Sequence, residues 1–324
     1  MHSRRIDWID YAKAVAIILI VASHIQHRLL KSGLCGSGGA YDFIDGLLYS
    51  FHVPLFFFLS GLFFYSSFLK RGLREFLTGK ACTILYPFVV WSLFQTAVEV
   101  ILKSASPSAL MTCLYYPRAH FWFLYALFFM SVVSAVIYWK GGKLALPVCL
   151  AVSIVLLLTY RSVNYGPFSD FAKNFIYFAL GILACRTGLM GMKKSMPLWN
   201  AVMATGQFVV LEVWFLTNGW HTTLAGQFLL AVSGTLFVVT LCMVLNDVAM
   251  PWLKYIGRRT LPIYVAHVLV AYAVMTLMGR LVKTDSLALY AAVGMLAGTG
   301  IPLIMYAVAN RLRFPYIFEL PRKK

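Results

Sequence analysis

The chain has 324 residues, 61% of them apolar and only 12% charged, with a mean hydropathy of +0.79. A soluble domain carries a charged share of about 25%, so a water-facing globule is excluded, and with it a soluble enzyme. The formal charge of +17 would suit nucleic acid only if the basic residues gathered on one solvated face; they are scattered between apolar runs, so no nucleic-acid partner is expected.

In a bilayer the backbone must close its own hydrogen bonds, as helices or as a barrel. The apolar runs are about 20 residues long and do not alternate, which predicts helices. In chain order the windows fall near 11–30, 43–69, 81–102, 119–139, 144–160, 170–187, 197–216, 225–246, 259–279 and 286–310. They predict an all-α, polytopic integral membrane bundle of about ten transmembrane helices. The loops leave no room for a soluble domain, so residues 1–324 form one membrane-embedded domain. An even number of crossings puts both termini on one side, and twenty of the 28 basic residues fall there. That side holds Arg4, Arg5, the cluster Lys70, Arg71, Arg74 and Lys80, the pairs Lys193-Lys194 and Arg258-Arg259, and Arg322 to Lys324. The other side holds Arg28, Lys31, Lys103, Arg118, Arg161, Lys173, Arg280 and Lys283. The positive-inside bias therefore predicts cytoplasmic termini. Asp7, Asp10 and Lys13 interrupt the approach to the first window, and no small-residue cleavage site follows it, so it reads as an uncleaved first helix.

The six cysteines show no zinc spacing. Cys82, Cys149, Cys185 and Cys242 lie inside apolar windows and are taken as small packing residues; a disulfide between Cys35 and Cys113 in outer loops is the alternative.

Ionisable groups at membrane depth are costly and are functional candidates. On the first helix Lys13 and His24 are eleven residues apart, which returns to nearly the same face after a rise of about 16 Å. Asp10 stands one turn before Lys13 and can pair with it. A structural alternative has Lys13 snorkelling to headgroups while His24 caps the far end. Other histidines argue against it: His52 and His120 open the second and fourth helices at similar depth, and His267 sits on the ninth. Their spacing matches no metal motif, and no metal is expected. Ser60-Gly61 is either a small-residue packing notch or a polar cavity lining. Trp122 reads as an interfacial aromatic. Arg258 and the Lys70 to Lys80 cluster obey positive-inside placement and equally suit donor phosphates.

The segment from Arg5 through Trp8-x-Asp10-x-x-Lys13 to His24 resembles the opening of the acyltransferase-3 family of bacterial membrane acyltransferases, most of all its fucose 4-O-acetylase-like branch. Further matching segments are Phe51-His52-Val-Pro54 through Ser60-Gly61, His120-Phe-Trp122, and Ile256-Gly257-Arg258-Arg259 through Tyr264 to His267. One departure stands at the third helix, where many members carry two arginines before a proline. Here Thr83 and Lys80 precede Pro87, and only the outer basic position is kept. Residues 140 to 250 match in hydropathy alone and are expected to shape acceptor choice.

The resemblance implies a multi-pass protein of the bacterial cytoplasmic (inner) membrane. It implies transfer of an acyl group, usually acetyl, from acyl-CoA to a hydroxyl of a carbohydrate or glycolipid acceptor, with acetyl-CoA a co-substrate and no bound cofactor. Lys13, Lys80 and Arg258 are then the donor-binding candidates, His24 and Asp10 the catalytic ones, and His52, Ser60, His120, Trp122, Tyr264 and His267 the cavity or acceptor candidates. His24 is read as general base, with a transient acyl-imidazole as the second chemistry. The rival functions are a transporter or flippase of a glycan or lipid intermediate and a nonenzymatic subunit of an assembly complex.

Overall fold

The computed structural model describes residues 6–36, 38–191, 195–282 and 284–321. Of the basic residues used for topology, Arg4, Arg5, Lys193, Lys194, Lys283, Arg322, Lys323 and Lys324 lie outside them. The described residues form twelve α-helices and no strand: α1 (Asp7–Lys31), α2 (Ala40–Lys80), α3 (Tyr86–Ile101), α4 (Ala109–Thr112), α5 (Trp122–Gly141), α6 (Ala145–Thr159), α7 (Ser169–Arg186), α8 (Leu198–Thr217), α9 (Leu224–Val244), α10 (Pro251–Gly257), α11 (Thr260–Leu281) and α12 (Leu287–Arg311).

Among these residues, eight continuous helical stretches are long and apolar enough to cross a membrane, against ten windows in the sequence. Tyr41–Ile101 and Trp122–Thr159 each carry two windows. The expected loop at 70–80 is helical, and the chain breaks at a single residue, Gly72, with φ 69° and ψ 177°. Between the other pair, Gly142 takes φ 51°. Side chains make such dihedrals costly, so a lone glycine can replace a whole loop. A π-helical turn, Ala81–Leu85, leads into α3. Pro87 has no N–H to give the carbonyl one turn back, and the wider turn relieves the clash.

Two compact units are present, residues 1–56 with 190–305 and residues 57–189 with 306–324. In the first, α1 packs against α9, α10 and α11, and α8 lies on α9. Trp8 N donates to Asn246 Oδ1 at 3.1 Å, and the Tyr11 hydroxyl donates to Val248 O at 2.8 Å. These bonds dock α1 on the segment before α10. A Cβ on Gly257 would lie 1.8 Å from Asp10 O, so only glycine lets the end of α10 touch α1. Along α8, Leu198, Trp199, Val202, Met203 and Val210 are exposed while Phe208, Glu212 and Phe215 are buried. A face of large exposed apolar side chains is at home against lipid tails.

The second unit has an aromatic interior. Phe64 meets Phe76, Tyr138 and Phe178 with ring centroids 5.2, 5.5 and 5.8 Å apart. A Cβ on Gly61 would sit 2.0 Å from Phe178 O, and one on Gly181 would sit 2.1 Å from Phe58 O. Helices α2 and α7 are therefore in backbone contact, and Gly61 is a packing notch of the small-residue type. All six cysteines are free.

Candidate active site

Helix α1 carries the site in the first unit. At its amino end Asp10 is buried, and its Oδ2 accepts a hydrogen bond from Arg258 Nε at 2.8 Å. Arg258 comes from 248 residues further along the chain, a partner invisible to local spacing. Asp7 Oδ1 pairs with Lys254 Nζ at 2.6 Å. In the preceding loop, hydrogen bonds from the Ser195 side chain and backbone hold the Asp247 carboxyl below its ordinary value. The amino end of α1 is thus met by Lys254 and Arg258, with Lys13 one turn deeper on the same helix.

Toward the carboxyl end imidazole and phenol side chains join the charged Arg28 and Lys31. The rings of His24 and His267 stand 5.1 Å apart, tilted by 58°. His267 Nδ1 lies 3.1 Å from Ile263 O and 2.7 Å from Tyr264 O. A carbonyl only accepts, so Nδ1 carries the proton and Nε2 is the acceptor nitrogen of the neutral ring. His52 is fixed in the same way, its Nδ1 donating to Leu48 O. The Tyr264 ring lies 6.0 Å from His267, and the Tyr272 hydroxyl donates to His24 O at 3.0 Å. His24 lies within electrostatic reach of His52, His27 and Lys31 as well as His267. His27 Nε2 is 2.9 Å from Asp45 Oδ1, and its Nδ1 is 3.2 Å from the Tyr49 hydroxyl. Tyr49 in turn meets His52 edge-on, with ring centroids 5.0 Å apart.

Sequence reasoning missed Glu212 in this unit. It is 1% exposed, its Oε1 lies 2.9 Å from Ser50 Oγ, and its Oε2 has no hydrogen-bond partner among the described residues. The signal was present: a lone carboxylate inside the 197–216 window, the class of residue singled out on the first helix.

Ser60, Lys80, His120 and Trp122 belong to the second unit. Ser60 is half-buried beside the Gly61 notch. His120 is buried, its ring 4.2 Å from that of Phe121. Trp122 is half-buried, its ring centroid 6.4 Å from that of Phe57. Lys80 Nζ stands 5.3 Å over the Phe76 ring, a cation–π contact. Three residues on, Thr83 turns its hydroxyl back to Gly79 O at 2.8 Å.

The first unit therefore offers cations beside a buried carboxylate at one end of α1 and imidazoles, with Arg28 and Lys31 nearby, toward the other. Cations suit phosphate; a neutral imidazole suits removal of a proton from a hydroxyl. A family model described as an acyltransferase domain matches residues 6–307. No curated protein and no solved structure matches the chain.

Proposed function

The chain belongs to the acyltransferase-3 family, and from that membership we propose that it is a membrane O-acyltransferase moving an acetyl group from acetyl-CoA to a sugar hydroxyl of a glycan or glycolipid. The observation that carries this reading is the division of labour along α1, with the Asp10 to Arg258 ion pair at one end and the His24 to His267 ring pair toward the other. The rise of about 16 Å between Lys13 and His24 is comparable to the reach of an extended pantetheine arm. Phosphates held by Lys13 and Arg258 would deliver the thioester near His24. His24 takes the proton of the acceptor hydroxyl as its oxygen attacks the thioester carbonyl. The C–S bond then breaks, the ester forms, and the CoA thiolate recovers a proton. Asp10 acts here by positioning Arg258. His267 and Tyr264 line the acceptor side in this unit. Lys80, His120, Ser60 and Trp122 are the second unit's candidates for donor and acceptor contacts.

The Trp8-x-Asp10-x-x-Lys13 opening favours the fucose 4-O-acetylase-like branch. The breaks at Gly72 and Gly142 support ten crossings: a 61-residue stretch would run about 90 Å, three times a hydrocarbon core of roughly 30 Å. The bias of basic residues supports cytoplasmic termini and residence in the bacterial inner membrane.

Purified protein in lipid nanodiscs, given labelled acetyl-CoA and a glycan extract, should release CoA and leave alkali-labile label on the glycan. Glycan movement across proteoliposomes with no CoA release would overturn the reading in favour of a transporter.

A further inference from the structure

At the carboxyl end of α1, helices α1 and α11, the start of α12 and the turns that follow α1 and precede α12 border an open pocket of about 360 Å³. Its polar lining comes from Arg28, Ser32, Thr276, Thr284, Asp285 and Tyr290. Arg28 follows His24 by one helical turn, so it shares that face about 6 Å further along. Its Nη2 donates to Thr276 Oγ1 at 2.8 Å, and its guanidinium lies 5.2 Å over the Tyr272 ring. Tyr272 is the residue whose hydroxyl holds the His24 carbonyl. One tyrosine therefore ties the pocket's cation to the backbone of the proposed base. In the pocket wall a Cβ on Gly279 would lie 2.8 Å from the Tyr290 hydroxyl oxygen. Glycine there leaves room for that hydroxyl beside α11.

We infer that this pocket binds a neutral pyranose unit of the acceptor and presents it toward His24. The link to His24 rests on the acyltransferase reading; the binding itself does not. One guanidinium and one carboxylate balance each other, so the pocket favours neither an anion nor a cation. Ser32 and Thr276 give their hydroxyl protons to Leu29 O and Tyr272 O, and Thr284 Oγ1 accepts from Ser286 N. The oxygens of Ser32 and Thr276 therefore act as acceptors for sugar hydroxyls, which Arg28, Thr284 and Tyr290 complement as donors. The volume stands at the lower end of small-molecule sites, which begin at about 300 Å³, and suits one or two rings. A phosphocholine headgroup would satisfy Arg28 and Asp285 but carries no hydrogen-bond donor for the oxygens of Ser32 and Thr276.

Saturation-transfer NMR on the full chain in phosphatidylcholine nanodiscs, with the methyl pyranosides of glucose, galactose and mannose as probes, tests this. At least one glycoside should receive saturation, and Arg28→Ala should weaken its binding about tenfold or more, as expected for a lost charge-assisted contact. Ser32→Trp, at the exposed helix end, should abolish it by filling the pocket. Size exclusion and thermal melting establish that each variant is folded. Binding unchanged in both variants overturns the inference, as does the absence of saturation on every glycoside. Retention of phosphatidylethanolamine by the wild type but not by Arg28→Ala, with no glycoside signal, overturns it in favour of a lipid. Glycoside binding without CoA release would fail the acyltransferase reading and leave the pocket standing. CoA release with an acceptor KM unmoved in both variants would do the reverse.

Discussion

Of acidic, basic and imidazole side chains among the described residues, the first unit buries four, Asp10, His52, Glu212 and His267, while the second buries His120 alone. The second is built instead from stacked rings around Phe64 and from glycine contacts between α2 and α7. Each buried ionisable group costs several kcal/mol unless it is paired or neutral. A chain that spends that cost in one half and avoids it in the other separates a reactive interior from a packed one. The contrast is open to direct attack by substitution, and the expected effects span several orders of magnitude.

The largest effect belongs to His24. His24→Gln keeps the size and a hydrogen-bonding amide but cannot take up a proton near neutral pH. Loss of a general base costs about 10² to 10⁴ in rate. CoA release and glycan acetylation should therefore fall at least a hundredfold, with normal expression and membrane insertion. His120→Gln in the second unit should cost far less. Equal losses in the two variants would erase the distinction between the units; near wild-type transfer in His24→Gln would move the base elsewhere, with His267 and His52 next to be tested.

A smaller effect is expected at the other end of α1. Arg258→Ala removes a hydrogen bond to a carboxylate, a contact worth about 1.5–3 kcal/mol. The same loss at a CoA phosphate raises the acetyl-CoA KM by roughly 10- to 150-fold. Lys13→Ala should act in the same direction, and Lys13→Arg should restore much of the affinity because the charge is kept. The diagnostic pattern is a change in donor KM with an acceptor KM that stays put. Asp10→Asn tests the positioning role: it leaves the cation in place but releases it, so its donor KM should rise by less than that of Arg258→Ala. An unchanged donor KM in both Lys13→Ala and Arg258→Ala would place the phosphates away from this end.

How much of this was legible beforehand depends on the range of the interaction. The helical class and the extents of α8, α9 and α11 follow from apolar windows, because in lipid an unalternating apolar run of about 20 residues closes its backbone hydrogen bonds as a helix. The Lys13 to His24 stripe was legible for the same reason, since a helix fixes the geometry of its own residues. The partners of that stripe were not. Arg258 and His267 reach Asp10 and His24 from the far end of the chain, through the close approach that Gly257 permits, and no local pattern encodes that meeting. The merging of windows at Gly72 also escaped notice, because one glycine does the work normally signalled by a cluster of turn residues. Glu212 was legible and overlooked, masked by the uniformly apolar residues on either side.

The smallest effect, and the sharpest control for the first, is expected at His27, one turn beyond His24 on α1. His27 Nδ1 lies 3.2 Å from the Tyr49 hydroxyl, and Nε2 lies 2.9 Å from Asp45 Oδ1; a carboxylate only accepts, so Nε2 carries a proton and gives it to Asp45. Both ring nitrogens are engaged, which leaves neither open to a substrate hydroxyl. The pair with Asp45 is about one-third exposed on each side, where ion pairs contribute about 0.2–1 kcal/mol. His27→Gln keeps one donor and one acceptor in similar places, so the turnover rate should fall by no more than about fivefold. The acceptor KM is expected to move more than the rate, because Tyr49 also meets His52. A hundredfold loss of rate in His27→Gln would give the proton transfer to His27 and strip His24 of the role assigned to it.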